Sequence, residues 1–231
     1  FTRFLAFHEE MPEIFIFDKI YLIMITLNVK YSPKTDTKRV ADTLKMLGWF
    51  KENNYSVSLP EGITELSLPE EIAKAIEKEY PENALIYERE KNSLLERWGK
   101  YGKDLEEKLN ECSLKTHSQY EVVFTVYGVS GSYEYPNALT VNAKRSWQIG
   151  LLRTVIHEII HLTIEEYIKK YGISHWQKER IVNLISLKIF PEEFKSQLQR
   201  DPENAETIGQ EFEINYPNIE LIIKNISPKI L

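Results

Sequence analysis

The chain has 231 residues, with 29 basic against 35 acidic side chains, a formal charge of −6 and 42% hydrophobic residues. That is too apolar for a disordered chain and long enough to bury a sizeable core. The acidic balance argues against general nucleic-acid binding, which needs clustered Lys and Arg. A single cysteine, Cys112, excludes an internal disulfide and is expected of a reducing, cytoplasmic compartment.

In chain order, Glu13 to Lys30 is dense in Ile, Phe, Tyr and Leu, the composition of buried strands. Its uncharged apolar run, Ile20 to Val29, has 10 residues, where a membrane-spanning helix needs roughly 20. No membrane span is expected. Asp36 is placed to cap a helix with Val40, Leu44 and Leu47 on one stripe, and Gly48 to stop it. Tyr55 to Leu59 reads as a short strand. Pro69 opens a helix carrying Ile72, Ile76 and Tyr80. Pro81 then restarts a longer one with Leu94, Trp98, Tyr101, Leu105 and Leu109 on its apolar face.

Glu121–Val129 and Ala138–Ala143 read as strands, with turn chemistry between them from Gly128 to Tyr133 and again at Pro136-Asn137. A long apolar helix follows, capped by Ser146 and ended by Gly172, and Ser174 opens a second helix. The tail from Pro191 mixes helix and loop. Without a Pro-, Gly- or Ser-rich linker, residues 1–112 are expected to belong to the same compact unit as 113–231, which hold the chemistry.

That chemistry is the run Thr154-Val155-Ile156-His157-Glu158-Ile159-Ile160-His161-Leu162-Thr163. Helical positions i and i+4 share a face about 6 Å apart, so His157 and His161 can aim at one ion. Glu158, turned by about 100° from His157, flanks that ion where a general base for an activated water belongs. Two histidines and a glutamate are the only ionisable groups from Thr154 to Ile164, and their burial is costly unless something satisfies them.

These residues resemble the His-Glu-x-x-His signature of the zincin metallopeptidases, with Thr163 as a mild departure at its end. The resemblance covers about residues 120–190 and implies one Zn2+ per chain and a peptide or protein substrate. In the gluzincin branch a Glu on the next helix is the third ligand, and an acidic residue four positions on orients a motif histidine. Glu179 and Asn183 look like that pair, with Asn in place of Asp and one residue fewer before Glu179 than is typical. His175 is the alternative third ligand.

The fold implied is α+β and zincin-like: a twisted, mainly antiparallel sheet on the motif helix, followed by a second helix bearing a ligand. An edge strand above the metal, either Glu121–Val129 or Ala138–Ala143, would receive the peptide, with Gly131-Ser132-Tyr133 rimming the cleft. Tyr133, Tyr135, Tyr167, Tyr171 and His175 are candidates to stabilise an oxyanion. The expected function is zinc-dependent peptide hydrolysis with Glu158 as general base. The alternative is a zincin-like binding or regulatory protein whose metal site is structural or inactive.

Overall fold

The computed structural model describes residues 25–144, 150–194 and 204–228. The fold is α+β, and among these residues there are seven helices and one four-stranded sheet. The strands are β1 (Thr26–Lys30), β2 (Gln119–Thr125), β3 (Gly131–Glu134) and β4 (Ala138–Asn142). The helices are α1 (Pro33–Lys45), α2 (Leu47–Glu52), α3 (Pro69–Glu111), α4 (Leu151–Tyr171), α5 (His175–Ile189), α6 (Ala205–Asn215) and α7 (Ile219–Ile226). No helix is long and apolar enough to cross a membrane among the described residues.

The sheet order is β1-β2-β4-β3. β1 pairs with β2 in parallel, Val29 opposite Val122, and β2 pairs with β4 in parallel, Val123 opposite Thr140. Only β3 and β4 are antiparallel, Tyr133 opposite Leu139. The expected mainly antiparallel sheet is therefore corrected to a mixed one. After β2 the chain does not fold back beside it. It crosses to the far edge through 126–130, with Gly128 at φ 75°, forms β3, and returns into the central place as β4. Glu121–Val129 and Ala138–Ala143, one of which was expected to offer the edge, are therefore both interior, and among the described residues the segment expected to be turn supplies the edge strand beside β4. Tyr55–Leu59 contributes only an isolated bridge from Ser58 to Gly128.

β1 lies in the first half of the chain and β2 in the second, so both halves build one sheet over one core. A parallel β1–β2 pair requires a crossover, which α1, α2 and α3 provide. Ser32, rather than Asp36, caps α1: its hydroxyl accepts from the Thr35 amide at 3.1 Å. Gly48 does not stop the segment, because α2 runs through it. α3 is a single 43-residue helix with Pro81 inside it, not two helices. Pro81 is exposed, while Ile72, Ile76, Tyr87, Leu94, Leu105 and Leu109 lie buried along the helix on both sides of it. Packing of both segments on a common core outweighs the lost amide.

The segments Glu13–Met24 and Ser146, read as strand and cap, lie outside the described residues. α4 instead begins directly after Gly150 and ends at Gly172 in the left-handed conformation, φ 64°. The Ser174 amide donates to Gln177 Oε1 at 3.0 Å, closing the expected capping box of α5. α4 buries Val155, Ile156, Ile159 and Ile160. It touches β3, β4 and α5, which fixes the motif helix between the sheet and the second helix.

Asp36 is fully buried, and its Oδ2 accepts from the Tyr87 hydroxyl at 2.7 Å. Burial pushes its carboxyl up to about 6 even though Tyr87 favours the charged form. The folded chain thus holds this proton more tightly than the unfolded chain. The resulting stability is present below about pH 4 and is lost as pH rises through about 6. Asp36→Asn should match wild type near pH 4 and gain up to roughly 3 kcal/mol over it by pH 7. Urea unfolding across that range checks this, and a difference that does not grow with pH contradicts it.

Candidate metal centre

α4 presents His157 and His161 one turn apart, and the short Gly172–Ser174 link swings α5 back so that Glu179 faces them. His157 Nε2 lies 3.3 Å from Glu179 Oε2, and His161 Nε2 lies 3.3 Å from Glu179 Oε1. The two Nε2 atoms are 3.0 Å apart. One donor atom from each of the three residues falls within 4.8 Å of the others, the sole such His/Cys/Asp/Glu cluster among the described residues. The expected set His157, His161 and Glu179 is brought together. His175 is not in it: its Nδ1 stands 3.9 Å from Glu179 Oε1, and its Nε2 meets the Tyr55 hydroxyl at 3.0 Å.

Asn183 lies one turn beyond Glu179 on α5 and is half-buried. The Nδ1 atoms of both motif histidines are buried without a hydrogen-bond partner, so the bond expected from Asn183 is not formed at either Nδ1.

Electrostatics follow from crowding. Burial raises the Glu179 carboxyl, but His161 and His157 outweigh it and hold Glu179 far below the usual carboxylate range. Burial drives His161 down to about 4, against the pull of Glu179. His157 is also disfavoured as a cation by burial, yet Glu179 and Glu158 hold it above its ordinary value. Glu158, 7% exposed, is pushed up to about 7 by burial, against His157, Lys178 and Arg39.

These groups lie in a cleft of about 700 Å³. β3 crosses above α4, with Gly131 against Glu158 and the Tyr133 ring stacked on His161 at 5.0 Å and 16°. Lys178 Nζ donates to the Tyr133 hydroxyl at 2.8 Å, which donates to Glu165 Oε2 at 2.7 Å. Arg39 reaches in from α1, its Nη1 donating to Ser132 Oγ at 2.9 Å, and its charge favours ionised Glu158.

Of the four tyrosines singled out from the sequence, Tyr133 alone lines the cleft. Tyr135 donates to Glu166, Tyr171 to Glu220, and Tyr167 packs on the core. Tyr55, Arg39 and Lys178 are cleft residues that the sequence reading did not single out. Lys178 was within reach, as the neighbour of Glu179. Nothing local to Arg39 or Tyr55 points to their partners Ser132 and His175, 93 and 120 positions away.

Searches of protein-family models, curated proteins and solved structures gave no match to this chain.

The approach of β3 to α4 is testable. A Cβ at position 131 would collide with Glu158 Oε1 and come within 2.8 Å of Thr154 Cγ2. Gly131→Ala should cost about 1–3 kcal/mol of folding stability as Glu158 and β3 shift apart. Unchanged stability in denaturant unfolding contradicts this close approach.

Proposed function

We propose that this chain is a zinc-dependent hydrolase, specifically a metallopeptidase with a zincin-like arrangement of helix and edge strand. The observation that carries the reading is the convergence of His157 Nε2, His161 Nε2 and the Glu179 carboxylate, with Glu158 buried beside them in an open cleft. Two imidazoles and one carboxylate are the donor set of catalytic zinc sites that leave a position open. Both Nε2 atoms lie against a single carboxylate, a spacing that suits one shared cation. Zinc, when bound there, supplies Lewis acidity and makes water a nucleophile near neutral pH.

The chain's own residues then have distinct tasks. His157, His161 and Glu179 hold the metal. Glu158 accepts a proton from the attacking water and returns it to the leaving amine. The free edge of β3 receives an extended peptide by main-chain hydrogen bonds. The Lys178–Tyr133–Glu165 chain fixes Tyr133 over His161, which keeps that ring and the edge strand in register with the ligand.

A second reading draws on one observation. Both motif histidines lack a partner at Nδ1, whereas catalytic zinc ligands usually donate there to an outer-shell acceptor. In that reading the site holds metal, and the cleft binds a partner without cutting it.

Glu158→Gln separates the two. The variant should keep wild-type zinc content and lose about 10²–10⁴-fold in peptide hydrolysis, read by mass spectrometry on a peptide library. Zinc binding with no hydrolysis by wild type favours the second reading. Turnover retained in Glu158→Gln contradicts the mechanism.

A further inference from the structure

We propose that the aromatic wall of the cleft, built from Trp49, Phe50 and Tyr55 against His175, is a subsite for an aromatic or large apolar side chain of an extended peptide. The inference rests on the peptidase reading above and names the substrate class that the cleft selects.

The wall is held by a specific closure of α2. Asn54 is left-handed, with φ 58°. Its amide donates to Lys51 O at 3.1 Å, and the Tyr55 amide donates to Phe50 O at 2.8 Å. This double bond pattern is a Schellman closure with Asn in the left-handed place. It folds Tyr55 back over Trp49, ring centroids 5.4 Å apart and 26° between planes. Trp49 stands edge-on to His175 at 5.2 Å, and Tyr55 stacks on Trp176 at 6.2 Å. The cluster joins α2 to the start of α5, and each of these rings remains half-buried rather than sealed in the core.

Charge is partitioned across the cleft. The lining residues from 49–56 carry none, whereas Arg39, Glu158, Glu165, Lys178 and Glu179 line it from other elements. His175 bridges the two regions, its Nδ1 3.9 Å from Glu179 Oε1. The wall therefore stands one side chain from the donor cluster, within reach of residues that flank the reacting bond. A side chain entering there removes the remaining ring faces from water and gains stacking or edge contacts. A charged one meets no opposite charge among the lining residues from 49–56.

The test is calorimetric binding to zinc-loaded Glu158→Gln, which binds without turning over. The probes are blocked pentapeptides, acetyl-Ala-Ala-X-Ala-Ala-amide, with Phe, Leu, Ala, Glu or Lys at X. The Phe and Leu peptides should bind at least about tenfold more tightly than the other three. Adding Trp49→Ala should shrink that ratio to below about threefold, and Trp49→Phe should restore most of it. Equal affinity across the five peptides, or no binding by any, overturns the subsite. The ratio measured on Glu158→Gln with Trp49 intact decides the matter even where Trp49→Ala fails to fold. Zinc retention and hydrolysis by wild type are measured separately, so loss of the subsite and loss of the peptidase reading are distinguishable.

Discussion

His157, His161 and Glu179 bring three donor atoms within 4.8 Å of one another, and Glu158 is buried beside them. Groups of this kind cost several kcal/mol to take out of water unless each finds a counter-charge or a metal. The structure meets that cost by charge pairing from outside the motif helix. Glu179 arrives on α5, and Arg39 and Lys178 supply positive charge from α1 and α5. Between Thr154 and Ile164, α4 carries no ionisable group besides His157, Glu158 and His161, so its position between sheet and α5 is set by Ile and Val packing, and the polar groups ride on that frame.

The same arrangement explains why the edge strand runs where it does. Gly131 has no side chain to keep β3 away from Glu158, and Tyr133, two residues on, lies flat against His161. Successive inward positions of one short strand therefore touch Glu158 and His161. The cleft beside them is closed on its other wall by α2, which the first half of the chain supplies. The site is thus a joint product of both halves, as is the sheet itself.

What the sequence made legible was local. The i, i+4 histidines, the Gly172 stop and the Ser174 capping box are short-range signals, and together they orient α5 so that Glu179 returns to the motif. Strands β2 and β4 were legible from β-branched runs, but their parallel pairing was not. Pairing direction depends on where the chain goes between strands, and the four residues of β3 look like turn. Pro81 misled for a related reason: its local preference breaks helices, and only long-range packing shows that α3 survives it. Arg39 and Tyr55 were invisible as site residues because their partners, Ser132 and His175, are 93 and 120 positions away.

The proposed zinc site draws its ligands from two helices, His157 and His161 from α4 and Glu179 from α5. Elemental analysis of the purified chain, wild type beside His157→Ala and Glu179→Ala, tests it most directly. About one zinc per wild-type chain and near-complete loss in both variants is the predicted result. Zinc retained in Glu179→Ala, or a wild-type chain that takes up no zinc at neutral pH, would contradict it.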